Sequence, residues 1–362
     1  MNVPAPRTFV IAEAGVNHNG SVDRALELVD VAAAAGADAV KFQTFKAERL
    51  VTSGAAKAAY QERHTGAAES QLEMLRKLEL DEAAHHRLLA RCAERGIQFL
   101  STPFDLESLD FLVNGLRLPR LKISSGEITN APLLLHAARS GKPLILSTGM
   151  STLEDVRTAL SVLAHGYLTP AAPPGRSAFK AALENPAARG VLREKVVLLQ
   201  CTTEYPAPFA EVHLRAMPTL REAFGLDVGL SDHTPGIWVA PAAVAFGAVV
   251  IEKHFTLSRS LPGPDHKASL EGPELKELVA AIRAVEQALG GERKDVTAAE
   301  AANRAIARKS LVAAAAIRAG EVFTLNNLAC KRPGTGLSPL KYWEYLGRPA
   351  ARAYAPDEMI QE

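Results

Sequence analysis

The sequence predicts an α/β protein: a (β/α)8 barrel followed by a small β-type module. Three observations predict it. Eight short apolar runs end in polar residues, alanine- and leucine-rich segments lie between them, and the texture changes after Leu289. Near-continuous apolar runs, rather than alternating ones, mark parallel strands buried on both faces. The 362 residues suit two domains, and 48% hydrophobic with 22% charged residues excludes a disordered chain.

The first run is TFVIAEAG (8–15), followed by a helical segment at 22–35. AVKFQTF (39–45) is the second, and 46–71 reads as a long loop. A helix at 81–95, acidic first and ending in arginines, suits the helix dipole and leads into QFLSTPF (98–104). RLKISSGE (120–127) precedes a helix at 131–140, and PLILSTGM (143–150) precedes one at 152–163. A proline- and alanine-rich insertion is expected at 165–195. VVLLQCTT (196–203), DVGLSDHT (227–234) and VVIEKHFT (249–256) complete the runs, with helices at 214–224, 237–246 and 273–289. Gly36, Gly96, Gly141 and Gly247 follow helices and suit the left-handed position past a helix end. A doubly wound sheet would use about five or six strands, so eight units favour the barrel. The boundaries read as barrel 1–289, polar linker with a short helix 290–304, and turn-rich β module 305–362. The module is near the lower size limit for independent stability.

Basic and acidic residues number 41 and 40, so the net charge of +1 gives no reason to expect nucleic acid or a charged membrane surface as partner. Cys92, Cys201 and Cys330 are odd in number and far apart, which argues against a disulfide framework and fits a reducing compartment. The N-terminal segment lacks the pattern of a signal peptide, and the longest apolar run, 236–251, is too short to span a bilayer. A cytoplasmic protein without a membrane partner is expected.

In such a barrel the polar residues at the strand ends converge on one mouth. These include Glu13, Lys41, Gln43, Thr102, Lys122, Ser125, Glu127, Ser147, Tyr205, Ser231, His233, Glu252 and His254. A single lysine in an apolar strand can snorkel to a barrel end without a role. Two at matching positions, Lys41 and Lys122, point to a small dianion such as a phosphate or phosphoenolate, since buried charge wants a partner. Ser147 and Thr148 read either as anion contacts or as a helix cap before Thr152. His233 and His254 end adjacent strands and, with Asp232 and Glu252 flanking them, suit a divalent metal such as Mn2+ or Zn2+. The flanking carboxylates are expected to orient the imidazoles. Asp265 and His266 lie near the same mouth, and His18 is a third imidazole candidate. His85 and His86 read as helical, and His64, His136, His165 and His213 as loop or helix-surface residues. No G-x-G-x-x-G, P-loop or G-x-S-x-G string follows a strand, so nucleotide binding and a serine-hydrolase elbow are not supported.

The strings AEAGVNHNG, KFQTF, STPFD, KISSGEITN, STGMST, CTTEYPAP, GLSDHT, EKHFT and GPDH, in this order, resemble the sialic acid synthase family. The tail KSLVAAAAIRAGEVFTLNNLACKRPGTGL resembles that family's C-terminal antifreeze-like (SAF) domain. The resemblance implies condensation of phosphoenolpyruvate with an open-chain N-acyl hexosamine to a nine-carbon 2-keto-3-deoxy acid, with phosphate released by C–O cleavage. N-acetylmannosamine is the first-choice sugar. Legionaminate or pseudaminate precursors of the 2,4-diacetamido-6-deoxy type are the alternative, toward which SGEITN leans. The resemblance also implies roles. Lys41, Thr102, Lys122, Ser125, Ser147 and Ser231 would hold phosphoenolpyruvate. Gln43, Glu127, Tyr205, Asp265 and Arg332 would contact the sugar. Glu13, Glu252, His233 and His254 would be catalytic, the two histidines holding a divalent metal, Mn2+ before Mg2+ or Co2+. It further implies a domain-swapped homodimer in which Arg332, on a loop with Pro333, Gly334 and Gly336, serves the partner's site; a solvated loop charge is its plainer reading. A metal-dependent aldolase and a non-catalytic sugar- or ice-binding role are the other classes, and phosphate release from phosphoenolpyruvate separates them.

Overall fold

The computed structural model describes residues 7–66 and 69–362, with the side chains of Arg63 and His64 outside the description. His64, expected at a surface, is therefore not placed. The chain divides into two compact units, 1–290 and 291–362.

The first unit is a nearly closed barrel of eight parallel strands. They are β1 (Phe9–Gly15), β2 (Ala39–Thr44), β3 (Gln98–Pro103), β4 (Leu121–Ile123), β5 (Leu144–Ser147), β6 (Val196–Cys201), β7 (Asp227–Asp232) and β8 (Val250–Thr256). Each predicted run contains its strand. Hydrogen-bonded ladders run in the order β3-β2-β1-β8-β7-β6-β5-β4. Among the described residues β3 and β4 touch without a ladder between them. A two-residue strand, β9 (Leu270–Glu271), extends the edge of β8.

Two apolar layers hold the barrel. Inside it, Ile11, Ala39, Leu100, Ile145, Leu199 and Val250 pack together. Outside it, a larger cluster joins the strands to the surrounding helices, including Leu28, Leu88, Leu134, Leu163 and Leu278. Side chains alternate across a strand with a period of two. Two residues beyond the inner filling stand Glu13, Lys41, Thr102, Ser147, Cys201 and Glu252, so the strand register itself places them at the mouth.

The structure adds to or changes several local expectations. The insertion is helical, Arg176–Glu184 and Pro186–Lys195. Pro186 occupies the first turn behind the Asn185 cap, where proline is tolerated. The preceding helix runs on to Leu168 through Gly166, where a Cβ would lie 2.5 Å from Ala138 Cβ, so that glycine serves helix packing. The 46–71 loop holds the short helices Ala47–Leu50 and Ala59–Thr65, with Gln71–Arg76 beyond it. His165, expected at a surface, is buried, its ring 5.3 Å from Phe179. His85 is buried on its helix, bonded to Thr44 Oγ1 at 2.8 Å.

The second unit has the helix Ala298–Ala307 and an antiparallel pair, β10 (Ser310–Ala313) with β11 (Leu328–Lys331). Leu311, Ala313, Ile317, Phe323, Leu328 and Tyr354 form a core of its own. Arg332 is exposed and its Nε donates to the Ala307 carbonyl at 3.0 Å. Gly334 is required by close approach to the module's own backbone, since a Cβ there would lie 2.4 Å from Arg308 Cβ. No helix among the described residues is long and apolar enough to cross a membrane.

Candidate active site

The strand ends surround a cavity of about 470 Å3. Four buried charged side chains meet in it. Lys41 Nζ lies 2.6 Å from Glu13 Oε2, donates to Thr102 Oγ1 at 3.0 Å, and lies 3.7 Å from Glu252 Oε2. Lys122 Nζ lies 3.1 Å from Glu252 Oε1, which also accepts from Ser231 Oγ at 3.0 Å. Glu252 thus joins the two lysines that the sequence pairs only by position.

The two carboxyls titrate apart. Burial, with Glu252 nearby, pushes Glu13 from 4.5 up to about 7 against the pull of Lys41. Burial also pushes Glu252 upward, but the Lys122 and Lys41 ammoniums outweigh it and bring it down to about 2. A shared pair of cations therefore keeps one carboxylate ionised and leaves the other able to carry a proton near neutral pH. Asp265, also lining the cavity, is raised by burial to about 6.

His233 and His254 face each other at 5.4 Å between ring centroids. Tyr205 stacks on His233 at 4.1 Å and meets His254 edge-on at 5.4 Å. The expected carboxylate orienters do other work. Asp232 faces the opposite side of β7 and pairs with Lys253 at 2.9 Å, and Glu252 bonds the lysines and Ser231. The alternation of the strands sends 232 and 253 away from the mouth. His233 is oriented instead by the Thr202 carbonyl, 2.7 Å from Nδ1. His254 Nδ1 is buried with no partner among the described residues. Burial, with His233 beside it, holds His254 well below its usual pKa, hence neutral.

Gln43, Ser125, Ser147, Ser231, Tyr205 and Asp265 all line the cavity. Ser147 Oγ is buried without a partner among the described residues. The helix after it is capped by Thr152 with Asp155, so the cap reading of Ser147 and Thr148 falls. Glu127 is not among the lining residues; it accepts from Asn130 Nδ2 at 2.6 Å. His18 is likewise outside, its Nδ1 accepting from Gly20 N at 3.0 Å, and His266 bonds Thr256 and Asn19.

A family model described as the NeuB family matches residues 28–294, and one described as the SAF domain matches 308–362. The chain belongs to the NeuB family. Its similarity to an N,N'-diacetyllegionaminic acid synthase of Campylobacter jejuni is 49% identity over 98% of this chain and 99% of that one. A protein of the same description from Legionella pneumophila is 45% identical over 94% of this chain and 89% of its own. The solved N-acetylneuraminic acid synthetase of Leptospira borgpetersenii is 32% identical, with a TM-score of 0.65 over 82% of this chain and 90% of that one. As a NeuB-family member the protein is a synthase of the transferase type.

The imidazole pair of this NeuB-family chain fits a divalent metal through two ligands. Both rings are buried, one has its outer nitrogen fixed by a carbonyl and the other has an orphaned nitrogen. No third His, Cys, Asp or Glu completes a cluster among the described residues, which leaves further positions to substrate oxygens or water. Sequence reasoning missed Gly15, Tyr60 and Met74. A Cβ on Gly15 would lie 3.2 Å from Glu13 Oε1, 3.4 Å from Gln43 Nε2 and 3.4 Å from His254 Cε1, so that glycine keeps open the space where those groups meet. Its place at the end of AEAG was the available signal, since strand-end glycine often marks a close approach. Tyr60 and Met74 had no signal, because the folding of 46–78 over the mouth depends on the barrel beneath it.

Proposed function

We propose that the protein condenses phosphoenolpyruvate with the open-chain form of a 2,4-diacetamido-6-deoxyhexose, giving a legionaminate-type nine-carbon acid and inorganic phosphate. The reaction type rests on one observation: two buried lysines joined through Glu252, with proton-bearing Glu13 beside them. The sugar rests on the relatives. Two legionaminic acid synthases share 49% and 45% identity and the N-acetylneuraminic acid synthetase 32%, which reverses the order of sugars drawn from the sequence.

Lys41 and Lys122 supply ammonium donors to the phosphate and carboxylate, and Ser147, Ser231 and Thr102 supply hydroxyls. Carbon 3 of phosphoenolpyruvate attacks the aldehyde carbon, whose oxygen needs a proton. Water then adds at carbon 2 and must lose one before phosphate leaves. Glu13, neutral below about pH 7, can give the first proton and take the second, which returns it to its starting form. Glu252 stays ionised, helps raise Lys41 and offsets part of the burial that lowers Lys122. A divalent ion on His233 and His254 would supply Lewis-acid polarisation of the aldehyde oxygen.

The reading extends to a cytoplasmic homodimer in which Arg332 reaches a partner's site. Mixing inactive Arg332→Ala and His233→Ala proteins, with subunit exchange verified, should restore about a quarter of wild-type activity at equal ratio, since a twofold heterodimer would hold one intact site. The main test is phosphate release from phosphoenolpyruvate with a panel of hexosamines. Release with the diacetamido sugar well above N-acetylmannosamine supports the proposal; no release with any sugar overturns it.

A further inference from the structure

We infer that the described residues 46–66 and 69–78, between β2 and β3, select the distal end of the sugar by offering it an apolar wall. The inference rests on the synthase reading above. The cavity has two unlike linings. One is the charged set of Glu13, Lys41, Lys122 and Glu252. The other is Leu50, Val51, Met74, Leu75 and Leu78. These five pack with Phe45 and Phe104 in an apolar cluster separate from both layers of the barrel.

Several of the segment's described polar atoms bond within it. Gln61 Oε1 accepts from Ala58 N at 3.0 Å and Gln71 Nε2 at 3.4 Å, and Thr65 Oγ1 donates to the Gln61 carbonyl at 2.9 Å. Buried Lys57 donates to Thr65 Oγ1 and the Gly66 carbonyl, each at 3.0 Å, and pairs with Glu69 at 3.4 Å. Beside Tyr60, Gln61 and Gln71, the described residues of the segment thus turn a patch of five apolar side chains to the cavity. Tyr60 carries this wall toward the imidazoles, its ring 4.9 Å from Tyr205.

The phosphate, carboxylate and aldehyde need charge and must lie on the charged lining. The carbons beyond the reacting end then meet the apolar one. A methyl at carbon 6 and the methyl of an acetamido group at carbon 4 bury well there. A hydroxyl at carbon 6 set against Leu50, Val51, Met74, Leu75 and Leu78 would lose water without a partner on that patch, a mismatch that costs roughly tenfold to a hundredfold in kcat/KM. The wall thus favours a 6-deoxy, 4-acylamino sugar over one hydroxylated at both positions.

The test measures kcat/KM for a 2,4-diacetamido-2,4,6-trideoxyhexose and for N-acetylmannosamine with wild type, Met74→Gln and Val51→Thr. Each substitution keeps side-chain size and adds a hydrogen-bonding group. The preference ratio should fall about tenfold, while the phosphoenolpyruvate KM changes by less than about twofold. Thermal melts establish that the variants fold, and half-buried Val51 decides the matter if Met74→Gln does not. An unchanged ratio in a folded variant, with wild type still preferring the diacetamido sugar, overturns the wall but leaves the synthase reading. A wild type preferring N-acetylmannosamine overturns the substrate assignment and the wall with it.

Discussion

Two sets of charged side chains sit on β7 and β8, one residue apart, on opposite faces. On the outer face Asp232 and Lys253 are buried and complete: Lys253 Nζ meets Asp232 Oδ2 at 2.9 Å and the Thr234 carbonyl, and Asp232 Oδ1 accepts from Thr234 N and Oγ1. On the inner face Glu252 shares two lysines, Ser147 Oγ and His254 Nδ1 lack partners, and Glu13 is driven to about 7. Burial is nearly the same on both faces. What differs is satisfaction: the outer pair closes on itself, while the inner set leaves donors and a shifted proton for a ligand.

Breaking the outer pair should have the largest effect. Lys253→Met leaves Asp232 buried without its cation, and such losses run to about 3–5 kcal/mol. Urea denaturation should show it, with partial recovery in the Asp232→Asn/Lys253→Met double variant. A single variant within about 1 kcal/mol of wild type would erase the distinction between the faces.

His18 sharpens the comparison as a buried group outside the cavity that stays neutral. Burial, with His85 and His266 nearby, lowers it from 6.5 to about 4. Between those values the unfolded chain binds the proton and the folded chain does not. Stability is therefore lost as pH falls from about 6.5 to 4, by about 3 kcal/mol in full. Denaturation midpoints at several pH values should fall less steeply in His18→Gln than in wild type; equal slopes would count against the assignment.

Lys122→Ala probes the inner face. The dissociation constant for phosphoenolpyruvate should rise by roughly one to two decades, the equivalent of about 1.5–3 kcal/mol, with the sugar constant nearly unchanged. The fold should lose less than in Lys253→Met, because Glu252 keeps Lys41 and Ser231. A shift confined to the sugar constant would contradict the anion role.

The smallest effect is in pH. Glu13 holds its proton up to about 7. The protonated form is the donor, so kcat/KM should fall about tenfold per pH unit above that value. Glu13→Gln should lower the rate and abolish that limb. Persistence of the limb in the variant would assign it to another group.

The barrel was legible because buried parallel strands leave continuous apolar runs, and all eight strands lie within the runs read from the sequence. The mouth was legible for the same reason: a period of two, counted from the inner filling, reaches Glu13, Lys41, Ser147 and Glu252. The orienter of His233 was not, since a backbone carbonyl has no residue type to read. Nor was the helical character of the insertion, where Pro186 sits in the first turn of a helix behind the Asn185 cap. Glu127 stands outside the lining because its carboxylate makes a local contact with Asn130, which strand-end position alone does not reveal.

Among the described residues no ladder joins β3 to β4, although the two strands touch. Lys41 rides on β2, clamped by β1 and β3 on either side. Lys122 rides on three-residue β4, whose ladder runs only to β5. A strand tied along one edge is the more compliant support, with weaker protection against local opening. The two ammoniums thus stand on unequal mounts, one on a strand hydrogen-bonded along both edges and the other on a strand hydrogen-bonded along one. A ligand that spans both lysines is held from two supports of different kind.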